Sequence, residues 1–271
     1  ALLLPARNTG KLYAAEQNGT SIKDWTKWTS NWTTLSFLHP DKHPRVLTLR
    51  PVPGARMGNG LFRYASLLGI AAKNNMSVRY PPTDFKSLFQ VFQMNHTRKL
   101  PTPTTVKVYE TKLLDVLRSN CDKRLDHLAA MEDSIQLHGY LQCFPNFDFI
   151  SEFLRKELTF KAELQNKALQ KLKQVAPAQN PKAVSVGIHV RRGDFTLKRP
   201  YIRGLVPAPK EYFFHAIDYF RQIHPNVFFV VASDDRVWVK KNLIATDVVL
   251  SPGSTAAEDL AILANCDHII A

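Results

Sequence analysis

An α/β fold is predicted by three stretches of this chain, each an apolar strand that runs directly into residues able to do chemistry. Val184, Val186, Ile188 and Val190 alternate along a β-branched strand that opens into Arg191-Arg192-Gly193-Asp194-Phe195. Val227-Phe228-Phe229-Val230-Val231-Ala232 is continuously apolar, as a strand buried on both faces should be, and leads into Ser233-Asp234-Asp235. Val46-Leu47-Thr48-Leu49-Arg50 precedes a glycine-bearing loop, Pro53 to Gly60, and then a helix through about Lys73. In that helix Leu61, Tyr64, Ala65, Leu68 and Ala72 recur at three- and four-residue steps, which makes one apolar face. Strand, glycine-bearing loop and helix open a Rossmann-like unit, and the β-α-β-α alternation after residue 182 is a second.

The remaining elements fall around this frame. Residues 1–43 lack periodicity, are rich in Thr, Asn, Lys and Trp, and read as a stalk or linker. Trp25, Trp28 and Trp32 sit there at helical spacing, as a short docking helix would place them. Residues 44–180 make the first unit and 181–271 the second, with the Pro-rich Ala176 to Pro181 as linker. Within the first unit, Ser77 to Tyr80 can pair as a strand before Pro81-Pro82 stops it. Residues 83–135 give no clear element. Phe149, Phe153, Leu154, Leu158 and Phe160 mark a helix, and a longer amphipathic one covers about 161–175. In the second unit a helix carries Phe213, Ala216, Ile217 and Phe220 on one face and ends at His224-Pro225-Asn226. A strand at Val248 to Ser251, a helix from Glu258 and the start of a strand at His268 complete it.

Composition bounds the function. Hydrophobic content of 45% and charged content of 22% describe a globular chain and exclude a disordered one. No apolar run approaches the roughly 20 residues a membrane-spanning helix needs, although Ala1-Leu2-Leu3-Leu4-Pro5 reads either as the stub of an apolar segment or as an arbitrary cut. A net charge of +13 points to anionic partners. The basic residues are scattered and carry no aromatic-basic motif, which favours a phosphorylated small molecule over nucleic acid. Cys121, Cys143 and Cys266 have no metal spacing; buried free thiols are the expected state, with one disulfide as the alternative. Four Asn-x-Ser/Thr sequons, at Asn18, Asn31, Asn75 and Asn95, tilt the compartment toward the secretory lumen.

The chemistry concentrates where the second unit's strands end. In an open α/β sheet, ligands bind in the crevice outside the carboxyl ends of the strands. Planar guanidinium groups match phosphate oxygens in pairs, so Arg191 and Arg192 in that crevice suit a diphosphate. Asp234-Asp235 at the neighbouring strand end reads as a helix N-cap, a ligand contact or, least of the three, a metal pair. Asp194 is placed either as a general base or as the carboxylate that orients the arginines.

These stretches also resemble a known family. Gly187 to Phe195 is similar to the first signature of the α1,2-fucosyltransferases, with related forms in α1,6- and protein O-fucosyltransferases. Ala55 to Ala65 resembles the family's amino-terminal signature, with Ala55 for a glycine and Gly60 for a glutamine; if that glutamine touches ligand, acceptor binding changes. Ile135 to Phe144 resembles its Leu-x-Gly-Tyr-x-Gln segment. Ser233 to Leu243 resembles its second signature and Glu258 to Ala271 its third, after which the family pattern continues with a segment that closes the phosphate site. The resemblance implies a GT-B-like architecture, two Rossmann-like domains facing a cleft, with the carboxy-terminal one incomplete.

It further implies an inverting transfer of L-fucose from GDP-fucose to the 2-hydroxyl of a terminal galactose, without a metal or other cofactor. On that reading Arg191 stabilises the departing diphosphate, with Arg192 supporting the phosphate or the site fold. His189 contacts the nucleotide or fills the site, and Ser233 and Asp234 lie where the nucleotide rests. Asp259 accepts from guanine N1–H and its amine. Arg56, Gly58 and Asn59 line the acceptor side. The implied setting is the Golgi lumen, as a type II membrane protein whose anchor is absent from this chain. The alternatives are an α1,6- or protein O-fucosyltransferase, or a non-catalytic GDP-sugar- or glycan-binding protein.

Overall fold

A computed structural model describes residues 35, 45–52, 56–80, 85–95, 111–115, 121–178, 180, 182–197 and 206–271. The three tryptophans at 25, 28 and 32, the sequon asparagines at 18 and 31, and Ala55 lie outside the described residues. The chain forms two compact units that divide between Phe160 and Lys161.

The first unit carries strands β1 (Val46–Leu49), β2 (Ser77–Val78), β3 (Thr111–Asp115) and β4 (Ser134–His138), with helices α1 (Met57–Lys73), α2 (Lys86–Val91) and α3 (Ser151–Glu157). The strands are parallel in the order β2-β1-β4-β3, with Leu47 paired to Val78 on one side and to Ile135 on the other. All four residues of β1 are buried, as its apolar run requires. Helix α1 starts at Met57, so Gly58, Asn59 and Gly60 form its first turn rather than the loop expected from their glycines. It is buried on nearly every side from Gly60 to Ala72. Gly69 permits that: a Cβ there would lie 2.0 Å from the Asn146 carbonyl, where the turn Phe144–Asn146 crosses the helix. Buried Asn74 closes the helix end, donating to Ile70 O and Leu125 O at 2.9 Å and accepting from Ala129 N at 2.8 Å. Each polar group is thereby satisfied where water cannot reach.

The second unit carries helix α4 (Ala162–Val175), β5 (Val184–Val190), α5 (Lys210–Ile223), β6 (Val227–Ser233), α6 (Arg236–Asn242), β7 (Val248–Leu250), α7 (Ala256–Ala264) and β8 (His268–Ile270). Its parallel strands run β7-β6-β5-β8. Counted within the unit this is 3-2-1-4, the opening of the doubly wound order. On one face Val186, Ile188 and Val190 pack with Phe213 and Ile217 of α5, Val239 of α6 and Leu243 just after it. On the other face Gly187 lets α7 come close, since a Cβ would lie 2.9 Å from Leu263 and 2.8 Å from Ile269. Buried beside it, the Cys266 thiol is pushed up to about 12, chiefly by burial.

Two expectations change. The boundary placed at 180/181 moves upstream because α4 belongs to the second unit. Gln165 and Asn265 exchange amide hydrogen bonds at 2.7 and 3.2 Å, and Lys167 and Lys171 reach the buried Glu258 of α7 at 2.5 and 2.6 Å. A Pro-rich stretch marks where a helix stops, not which sheet the helix packs against. Second, Cys121 and Cys143 form a disulfide, and among the three cysteines Cys266 is the free, buried thiol. Among the described residues no helix is long and apolar enough to cross a membrane.

Candidate functional site

In the second unit the strand order reverses between β5 and β8, and the loop that leaves β5 carries Arg191 and Arg192. Arg191 is exposed but held. Its Nη2 donates to both Asp194 oxygens at 3.2 and 3.1 Å, and its guanidinium lies 4.5 Å from the centre of the Phe195 ring. Arg192 is tied down more tightly. It stacks over Trp238 at 4.1 Å and donates to Asp235 at 3.3 Å. The two neighbours are therefore unlike: Arg191 presents its cation to solvent and Arg192 fastens the loop to α6.

The Ser233-Asp234-Asp235 run at the end of β6 is what the loop is fastened to. Asp235 caps α6, accepting from Trp238 N at 3.0 Å, and the Ser233 hydroxyl accepts from Asp235 N at 2.9 Å. Asp234 Oδ1 accepts from the backbone N–H groups of Arg192 and Gly193 at 2.9 and 3.1 Å. A Cβ on residue 193 would lie 2.6 Å from Asp234 Oδ2 and push that carboxylate away from the loop. Of the two residues expected beside a nucleotide, Asp234 thus holds the arginine loop through its backbone, and the Ser233 hydroxyl braces the turn at Asp235.

His189 ends the other face of β5. Crowding by protein atoms pushes its imidazole below the usual value although part of the ring reaches solvent. The charges of Asp234 and Asp259 pull it back up, and Arg191 opposes them. These four residues accordingly share one electrostatic neighbourhood. Asp259, in the first turn of α7, is held by the Ser251 hydroxyl at 2.6 Å on Oδ1. Its Oδ2 has no donor among the described residues. Gly253 lets the preceding loop close over it, because a Cβ would lie 2.1 Å from Asp259 Oδ1.

The first unit repeats the plan at its own reversal, between β1 and β4. Arg56 and Gly58 are exposed at the start of α1, and a Cβ on Gly58 would meet nothing within 4 Å. Asn59 Oδ1 accepts from Gln142 Nε2 at 2.9 Å, across from the loop that follows β4. Gly60 is buried and its Cβ direction points at Leu88 of α2, 3.9 Å away. A side chain at this position would start out in ordinary contact with Leu88.

Comparison with known proteins closes the description. Residues 26–271 match the model of glycosyl transferase family 11, a span that includes every site residue described in the two units. The chain belongs to glycosyl transferase family 11. Curated relatives include a bovine galactoside 2-alpha-L-fucosyltransferase SEC1, 27% identical over 79% of this chain and 58% of its own length. A rat galactoside alpha-(1,2)-fucosyltransferase 1 is 28% identical over 80% of this chain and 58% of its own. This family 11 chain thus spans a little over half the length of those relatives. Among solved structures, the fucosyltransferase NodZ from Bradyrhizobium aligns with 82% of the chain at 13% identity and a TM-score of 0.45, too distant a likeness to bear on function.

Two firmly held positions of this family 11 chain escaped the sequence. Glu258 looked like one more helix residue; it is buried, and Lys167, Lys171 and Ser254 together hold its carboxyl well below the usual carboxylate range. Its Thr255-x-x-Glu258 spacing was the available signal, a capping box in which Thr255 accepts from Glu258 N at 3.2 Å. Gln142 carried no signal beyond its place in a short motif, because its partner lies 83 residues away.

Proposed function

We propose that this chain is the donor- and acceptor-binding part of an inverting galactoside 2-alpha-L-fucosyltransferase, moving L-fucose from GDP-fucose to the 2-hydroxyl of a terminal galactose on a glycan. The observation that carries the reading is Arg191, exposed at the reversal point of a parallel sheet and fixed by Asp194 and Phe195. As the bond to fucose breaks, negative charge grows on the diphosphate. A cation already oriented toward that charge lowers the barrier because nothing reorganises as the charge forms. Each of the two α/β units is built on its own parallel four-stranded sheet, as each half of a GT-B enzyme is.

This geometry supports the following roles. Arg191 meets the β-phosphate, and Asp194, with both oxygens turned to Arg191, orients it rather than acting as base. Arg192 keeps the loop in place through Trp238 and Asp235. His189 lies beside the nucleotide, with a neutral imidazole able to donate or accept. Asp259 Oδ2 receives guanine N–H donors, which selects GDP over a uridine nucleotide. Arginine replaces a metal as the counter-charge. The relatives' names support the α1,2 linkage over the α1,6 or protein O-fucosyl alternatives. The Cys121–Cys143 disulfide and the exposed sequon Asn75 support an oxidising lumen, the Golgi on this reading.

The test is direct. Incubation with GDP-fucose and a β-galactoside should release GDP and yield an α1,2-linked product, at a rate that excess EDTA leaves unchanged. GDP binding without turnover points instead to a non-catalytic sugar-nucleotide binder, and a rate that collapses with EDTA refutes the metal-free mechanism.

A further inference from the structure

The loop that follows β4, Gly139 to Cys143, is held in a conformation it would not adopt by itself. Gly139 has φ 139 and Leu141 has φ 53. A leucine in the left-handed region is uncommon, because its Cβ crowds the following carbonyl, and such residues persist only where the surroundings over-determine them. Here the surroundings do. Arg63 of α1 donates to Gly139 O at 3.2 Å and to Arg50 O at 2.5 Å, bridging the ends of β4 and β1. Ser66 donates to Leu141 O at 2.7 Å. The Leu141 side chain is buried, and the next residue but one, Cys143, is bonded to Cys121.

That scaffold leaves two half-buried side chains, Tyr140 and Gln142, at the carboxyl edge of the sheet's reversal point. Gln142 is locked to Asn59 by one amide hydrogen bond. The bond uses one Gln142 N–H and the Asn59 oxygen, so the groups left over include the second Gln142 N–H, the Asn59 Nδ2 donors and the Gln142 Oε1 acceptor. None of these has a partner among the described residues. Beside them Gly58 leaves open space.

We propose that Asn59, Tyr140 and Gln142 form a binding site for a neutral polyhydroxylated ligand, a sugar, with Gln142 as a contact residue that also orients Asn59. A donor and an acceptor at fixed separation match hydroxyl groups, each of which both donates and accepts. Tyr140, half-buried two residues before Gln142, would supply the ring that packs on sugar C–H groups. No carboxylate belongs to this set, so a cation has no counter-charge there, and a phosphate would leave the Gln142 acceptor facing its own oxygens. The inference rests on the fucosyltransferase reading only where it takes the sugar to be the acceptor.

The test uses the 271-residue chain and lactose, a β-galactoside, observed by ligand-detected NMR, with GDP binding measured separately by calorimetry. Gln142→Ala and Gln142→Glu should each weaken lactose binding about tenfold or more while GDP affinity and Tm stay at wild-type values. Asn59→Asp keeps an acceptor for Gln142 but loses the Nδ2 donors, and should weaken lactose as well. Reduction of the disulfide should loosen lactose binding and spare GDP. In turnover assays the loss should appear in the acceptor KM, with the donor KM unchanged. Wild-type lactose affinity in both Gln142 variants overturns the site, as does the absence of any lactose contact in the wild-type chain. Gln142-dependent lactose binding without fucose transfer keeps the site and sinks the transferase reading. Fucose transfer with a normal acceptor KM in Gln142→Ala does the reverse.

Discussion

At the carboxyl edge of the second sheet the groups that fix the loop are carboxylates, whereas at the same edge of the first sheet a guanidinium, a hydroxyl and an amide bond to uncharged oxygens beside a disulfide. Asp234 and Asp235 hold Arg192 and Gly193, and Asp194 holds Arg191. In the first unit Arg63, Ser66 and Gln142 reach across to Gly139, Leu141 and Asn59, and Cys143 is tied to Cys121. The difference matches the ligands proposed. A diphosphate needs a cation that is already in place, and a carboxylate behind the cation keeps it there at little cost in reach. A sugar needs several weak hydrogen bonds at fixed angles, and those are set by backbone shape. On the proposed reading, the same sheet reversal serves two chemistries, distinguished by what the loops carry.

The comparison can be broken most severely at Arg191. Arg191→Ala should lower turnover on the order of 10²- to 10³-fold, with Tm unchanged because the side chain is exposed. Arg191→Lys should recover little of it, since an ammonium lacks the planar fork. Near-normal kcat in Arg191→Ala would remove the charge-stabilising role and leave the contrast between the two edges without a function. Cys121→Ser tests the other edge. It should cost the first unit about 2–4 kcal/mol in urea unfolding, with GDP affinity unaffected. An equal loss of GDP binding would mean that the two edges are not separate.

Smaller effects sharpen the same contrast. Gly187→Val drives a side chain into Leu263 and Ile269 and should cost about 1–3 kcal/mol, seen as a lowered urea midpoint. Glu258→Gln should lower the midpoint slightly at neutral pH. Its carboxyl is held low by Lys167 first, then Lys171 and Ser254. A group depressed in the folded state stabilises above its unfolded value and loses that contribution as pH falls. The gap between wild type and Glu258→Gln should therefore be full near pH 7 and close as pH drops below about 4.5. A gap that widens in acid would contradict the ion network.

Local signals carried some residues and failed for others. The strand Val184–Val190 was legible because alternation and β-branching are properties of neighbouring residues, and so was the buried run into Ser233. Asp235 as a helix cap was one of three open readings, and only the bond from Trp238 N selects it. The linker was misplaced because α4 is amphipathic whichever unit it joins; its partner Glu258 lies 87 residues from Lys171. The disulfide was unreadable for the same reason, since spacing alone cannot say which cysteines meet.

The sequence by itself determined the α/β class, the periodicity of its helices, the position of the arginine pair at a strand end and membership of glycosyl transferase family 11. The tertiary structure decided the strand order, the use of Asp234 as a clamp on the loop backbone, and the partnership of Asn59 with Gln142. Periodicity and propensity act over a few residues and are written in their order. Pairings across 40 to 90 residues depend on which strands lie side by side, and that is settled only when the sheet closes its hydrogen bonds and buries its faces.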